Sequence, residues 1–123
     1  MSGSPEQLHT SFQDAFNRHD LESIVALYEP GAVLASAGGP VVGSEAIRER
    51  YRSVLALSPT IHLQTLGMHR AGELALLHGK WILHGSAPDG RQVRREGRNA
   101  ETVRLQPDGR WLFVIDNPSM PQE

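Results

Sequence analysis

The sequence predicts an α+β fold, with three N-terminal helices packed on a curved, mainly antiparallel sheet. Three observations predict it. Apolar residues in the first half recur at helical spacing behind capping signals. Apolar residues in the second half alternate with polar ones over long runs. Those runs are separated by Ala71-Gly72, Asp89-Gly90 and Asp108-Gly109, the short turns that join sequential antiparallel strands. Helices first and a strand meander after place the helices on one face of the sheet.

Each element has its own signals. Ser4-Pro5-Glu6-Gln7 reads as a capping box with proline at the first helical position. Leu8, Phe12, Ala15 and Phe16 then make one stripe. Asp20 reads as the N-cap of a short second helix with Leu21, Ile24, Val25 and Tyr28 inward, ended by a turn at Glu29-Pro30-Gly31-Ala32. A short strand, AVLAS, follows, and Val41-Val42 returns after Ala37-Gly38-Gly39-Pro40. Ser44 caps a third helix with the stripe Ile47, Tyr51, Val54 and Leu55, stopped by Ser58-Pro59. Strands are expected in TIHLQTLGMHR, ELALLHGKWILHG, RQVRREGRNAETVRLQ and RWLFVIDN.

Composition narrows the function classes. The 123 residues fit one domain spanning 1–123, with 39% apolar and 21% charged residues. A formal net charge of −2 points to neither a nucleic-acid nor a membrane surface as partner. The absence of cysteine excludes disulfides, thiolate metal sites and cysteine nucleophiles. No apolar run approaches the roughly 20 residues of a membrane span, and MSGSPEQ lacks a signal-peptide pattern, so a cytoplasmic location is expected.

The chemistry is expected near the C-terminus. Glu101 and Asp116 interrupt apolar runs on either side of Asp108-Gly109. A two-residue loop there would pair Val103 with Val114 and Glu101 with Asp116, on a face shared with Leu105 and Leu112. Two buried carboxyls that close imply a shared proton, a positive partner or a ligand. A two-residue loop at Asp89-Gly90 would set Lys80 against Asn99 and His78 against Glu101. His78, Glu101 and Asp116 would then form one row across three strands, provided no bulge intervenes; Gly79 and Gly97 are the expected places for one. Alternation puts Val93, Gly97, Asn99, Glu101, Val103 and Leu105 toward the helices, a parity that Arg95 shares without fitting.

Such a row suits general acid–base catalysis, with Asp116 or His78 as base and a neutral Glu101 as hydrogen-bond donor. A satisfied structural network of the same groups is the competing reading. The other histidines suggest no metal site: His78 and His84 are six residues apart, and His62 and His69 have opposite parity. Trp81 and Arg98 read as cross-strand partners on the outer face. No phosphate loop, dinucleotide fingerprint or Ser-His-Asp motif is present.

Three stretches carry a family resemblance: AFNRHDLESIVALYEPGAVL, GPVVGSEAIRERYRSVL and the meander ending VRLQPDGRWLFVIDNP. Over roughly residues 8–118 the chain resembles the ketosteroid isomerase-like and SnoaL-like branch of the nuclear transport factor 2 superfamily. The resemblance implies a conical, cystatin-like α+β barrel around an apolar pocket, and a homodimer through the convex outer sheet face. It places Tyr28 and Tyr51 at pocket tyrosines, and Glu101 at the protonated acid of the isomerases' oxyanion hole. It places His78, Val114 and Asp116 at pocket-facing strand positions. The position of the isomerases' catalytic base holds Ser36, and that of their oxyanion tyrosine holds Phe12. Leu55 and Asn99 complete the expected pocket. The implied activity is cofactor-free isomerase, cyclase or dehydratase chemistry on an apolar carbonyl-bearing or polycyclic molecule. The alternatives are a non-catalytic binding protein for a hydrophobic metabolite, and an interaction module using the outer face.

Overall fold

A computed structural model describes residues 3–120. Three helices, α1 (Gln7–Asn17), α2 (Leu21–Val25) and α3 (Ser44–Leu55), lie on a sheet of β1 (Tyr28–Leu34), β2 (Val41–Val42), β3 (Thr60–Ala71), β4 (Leu74–Ser86), β5 (Gln92–Leu105) and β6 (Trp111–Met120). The strand order is β2-β1-β6-β5-β4-β3. Neighbours are antiparallel except β1 and β6, which run parallel. This is the expected α+β arrangement of three helices on a mainly antiparallel sheet.

The helix signals acted less directly than expected. The capping box at Ser4 is not formed: Ser4 and Pro5 carbonyls accept from Gln7 and Leu8 in a preceding turn, and Glu6 holds the N-cap position without a side-chain bond. Asp20 caps α2 as expected, accepting from Ser23 N at 3.2 Å and Ser23 Oγ at 2.7 Å. At α3 the cap residue is Gly43, at φ 90°, and Ser44 is already helical. Pro30 and Gly31 end no helix. They sit inside β1, in a stretch where the register against β6 breaks between Tyr28 and Val33. Proline and glycine are tolerated there because the interrupted ladder asks nothing of their backbone.

Both Asp-Gly turns are one residue longer than a two-residue loop. Ala87 N donates to Arg91 O and Gly90 N to Ala87 O, each at 2.8 Å. Gln106 and Arg110 repeat the pattern around Gly109. Both glycines have φ 87°, and each preceding aspartate accepts from the amide two residues on. This is the three-residue loop with a left-handed glycine. The extra residue shifts the register by one, so Leu77 faces Glu101 and His78 faces Ala100. On the other side Val103 faces Phe113, not Val114. Val114 is then surplus in β6, the count slips back, and Glu101 does face Asp116.

Between β4 and β5 the register runs unbroken through Gly79 and Gly97; on the other side of β4 the register against β3 breaks between Gly79 and His78. Both glycines allow a close approach: a Cβ at Gly79 would lie 2.3 Å from Gln64 O, and one at Gly97 2.9 Å from the Trp81 ring. The break beside Gly79 is a bulge at Leu66, between Thr65 and Gly67 in β3, and β5 shifts once more against β6 between Arg98 and Ala100. The core lies between α1, α3 and the inner sheet face. Phe12 sits edge-on to Phe113 and Tyr51, at centroid separations of 6.2 and 5.9 Å, above Leu77 and Val103.

Candidate active site

The inner end of this core opens into a cavity of about 220 Å³. Its walls are mostly apolar, with Phe12, Phe16, Tyr51, Leu63, Trp81 and Phe113 among them. Two carboxyls line it, Glu101 and Asp116, and they are 4% and 6% exposed. Burial of two acids in one apolar cleft needs partners, and each has its own set.

Glu101 is held by nitrogen. His9 Nε2 lies 2.5 Å from its Oε1, and Asn99 Nδ2 donates to its Oε2 at 2.8 Å. His9 is itself buried and anchored through Nδ1 to Thr65 Oγ1 at 2.7 Å. That contact orients the imidazole, so Nε2 points at the carboxyl. The Asn99 amide oxygen has no partner among the described residues.

Asp116 is held by phenols. Tyr28 OH donates to Asp116 Oδ2 at 2.5 Å, and the Tyr51 and Tyr28 hydroxyls are 2.7 Å apart. Since the Tyr28 proton goes to Asp116, Tyr51 donates to Tyr28. Burial raises the Asp116 pKa well above the usual carboxyl range, and the facing Glu101 raises it further. Burial likewise pushes both tyrosines up, so they stay protonated donors. The donors His9 and Asn99 around Glu101 suit a carboxylate there.

Placement of the expected residues is mixed. Glu101, Asp116, Asn99, Phe12 and Tyr51 line the cavity together. Tyr28 lies behind its wall, bonded to Asp116. His78 does not join the row. The one-residue loop difference turns it to the outer face, where it stacks on His69 over Gly67. Val114 is the bulge residue, and Phe113 takes the place expected for it. Ser36 binds Gly39 O in a turn, and the neighbouring Ala35 lines the cavity. Leu55 packs on the core while Val54 lines the wall. Trp81 faces inward opposite Gly97, not Arg98, and donates to Pro118 O at 2.8 Å. Sequence reading missed His9 altogether. Its signal was a polar residue three and seven positions before Phe12 and Phe16, on the stripe those rings define. No three His, Asp or Glu side chains are grouped to hold a metal ion among the described residues.

An α+β sheet wrapped on helices around an apolar, acid-floored cavity defines a protein of the cystatin-like, nuclear transport factor 2-like fold. The chain belongs to the SnoaL-like domain family, whose model matches residues 9–114. Among solved structures, it is similar to a ketosteroid isomerase-like protein from Erwinia carotovora atroseptica, at 19% identity over 96% of this chain and 94% of that one, TM-score 0.82. It is similar to a nuclear transport factor 2-like superfamily protein from Salmonella enterica serovar Typhimurium, at 19% identity over 95% and 88%, TM-score 0.83. It is also similar to a cystatin-like protein of unknown function from Nostoc punctiforme, at 14% identity over 100% and 97%, TM-score 0.78. At these identities the likeness is one of fold. No curated protein matches the chain. No helix among the described residues is long and apolar enough to cross a membrane.

Proposed function

We propose that the protein is a cofactor-free acid–base enzyme, of isomerase, cyclase or dehydratase type, acting on a compact carbonyl-bearing molecule. The supporting observation is the division of labour in the facing acids: Asp116 is held protonated by burial and by Glu101, while Glu101 is bracketed by His9 and Asn99. Two carboxyls pushed apart in this way serve as acid and base. Glu101 removes a proton from a carbon next to the carbonyl, and neutral Asp116 donates a hydrogen bond to the developing enolate oxygen. Returning the proton at another carbon completes an isomerisation. Its two bonded oxygens leave Glu101 further lone pairs for the substrate proton. These roles invert the sequence expectation, which made Glu101 the donor and Asp116 or His78 the base. A cavity of about 220 Å³ is below the usual drug-sized range of roughly 300–1,000 Å³, so one or two rings suit it better than a polycycle.

Proton exchange tests this directly. Wild-type protein is incubated in D2O with small cyclic ketones and enones, and loss of the α-proton signal is followed by NMR. Catalysed exchange that falls at least about 100-fold in Glu101→Gln is expected. Absence of any exchange, or exchange unchanged by that substitution, overturns the proposal. One observation favours a second reading, a binding protein: both Glu101 oxygens are already bonded within the protein. Ligand binding without exchange selects it.

We further propose a second copy as partner of the outer sheet face. Leu76, Thr102 and Ile115 form one registered row there, with Leu76 45% and Ile115 48% exposed. Light scattering giving a monomer, or a dimer unaffected by Ile115→Arg, contradicts it.

A further inference from the structure

The acids lie at the floor of the cavity, and its rim has the opposite charge. The only exposed ionisable side chains lining it, among the described residues, are Arg50 and Arg95. Arg50 precedes buried Tyr51 on α3, one turn before the wall residue Val54. Arg95 lies on the inward row of β5 that continues through Gly97 and Asn99 to Glu101. This explains the arginine whose parity did not fit a core: β5 runs past the helices there, and its inward face becomes the cavity mouth.

These two arginines lack the ion pairs made by the arginines next to them, although among the described residues Arg91 and Arg98 at β5 have none either. Arg48 pairs with Glu22 and Glu45, Arg52 with Glu49, and Arg94 with Glu96. Among the described residues, neither Arg50 nor Arg95 has a carboxylate within ion-pair distance. Two arginines without partners beside a low-dielectric cleft focus a positive field at its mouth. The planar guanidinium fork matches a carboxylate in geometry as well as charge.

We infer that the ligand of this cavity is an amphipathic anion: a ring system with a carboxylate held by Arg50 and Arg95 at the rim and its reactive carbonyl at Glu101 and Asp116 on the floor. Arg95 and Glu101 are six positions apart on one strand, about 20 Å at roughly 3.4 Å per residue. Both ends of that span line one cavity, so a single ligand can meet Arg95 at the mouth and Glu101 at the floor. The anion stays at the rim because both arginines are there, while the floor already holds two carboxyls. The inference rests on reading this cavity as the ligand site, and it holds whether or not turnover follows.

Matched probes test it by calorimetry: benzoate against benzamide, and 2-naphthoate against 2-naphthamide. At least one carboxylate should bind at least about tenfold more tightly than its amide, a preference that weakens as salt screens the rim. In the Arg50→Gln/Arg95→Gln double variant the carboxylate should fall to the level of the amide, with amide binding unchanged as the internal control for folding. The single variants Arg50→Gln and Arg95→Gln should each give part of that loss, and they carry the test if the double variant does not fold. No carboxylate preference in either pair, whether through equal binding or none, overturns the inference. So does a preference that survives the substitutions. Carboxylate preference without catalysed exchange in D2O leaves this inference standing and removes the acid–base reading.

Discussion

The two acids of the cavity face each other across one pair of strands, yet their surroundings differ in kind. The Glu101 corner is built from nitrogen donors, with His9 on one oxygen and Asn99 on the other. The Asp116 corner is built from phenols, with Tyr51 donating to Tyr28 and Tyr28 to the carboxyl. An imidazole can carry charge near neutral pH, whereas a buried phenol cannot. One corner therefore accommodates an anion and the other a neutral acid. Two identical side chains in identical settings would share a proton symmetrically; the asymmetric shells assign it to one side.

The largest expected effect comes from removing the charge at the nitrogen corner. Glu101→Gln keeps shape and hydrogen bonding but removes the base, and should lower catalysed exchange by about 10²–10⁴. The same change removes the anion facing Asp116, so the Asp116 pKa should move down toward the ordinary range. A carboxyl resonance followed by NMR titration checks that shift. An Asp116 that titrates unchanged in the variant would mean the two corners are not coupled.

Asp116→Asn comes next, with activity down by about 10² and a stability effect of opposite sign. Below the unfolded aspartate pKa of about 3.9, Asp116 is protonated in both states and contributes no pH dependence. Above it the unfolded chain ionises while the folded protein, with its raised pKa, keeps the proton. Wild-type stability therefore falls as pH rises toward the folded value, by at most about 1.4 kcal/mol per pH unit. Asparagine escapes this, so thermal unfolding at pH 4, 6 and 8 should show the variant gaining on wild type. A variant that loses ground to wild type as pH rises would mean an ionised Asp116.

The same corners show what the sequence made legible. Period-two alternation was enough to put Asn99, Glu101 and Val103 on the inner face, because alternation depends only on backbone geometry. The facing of Glu101 and Asp116 was reached through a loop one residue too short, and the bulge at Val114 cancelled that difference. No such compensation exists between β4 and β5, and His78 therefore moved to the outer face. Strand identity is written locally, but register depends on whether the chain spends two or three residues in a turn, and Pro-Asp-Gly permits both. His9 was illegible for a different reason. On a helix one polar residue beside an apolar stripe reads as its wet edge, and only the distant Thr65 and Glu101 show it to be buried.

His9→Gln sharpens the comparison at moderate cost. Glutamine still donates one hydrogen bond to Glu101 but cannot become cationic, so exchange should fall about tenfold, one charge-assisted bond of roughly 1.4 kcal/mol. Exchange left unchanged in the variant would mean that His9 plays no part in holding Glu101 for the reaction.

Tyr28→Phe has the smallest expected effect and the sharpest sign. It removes the hydrogen bond that favours ionised Asp116, at about 1 kcal/mol of stability, and so raises the Asp116 pKa further. If Asp116 is the acid, it must be protonated to work, and raising its pKa moves the alkaline limb of activity to higher pH while the maximum changes only a few-fold. If Asp116 is the base, it must be ionised, and the same change moves the acidic limb upward and cuts activity at neutral pH. The two assignments predict shifts in different limbs from one substitution, so a pH profile of catalysed exchange in Tyr28→Phe decides which corner holds the proton.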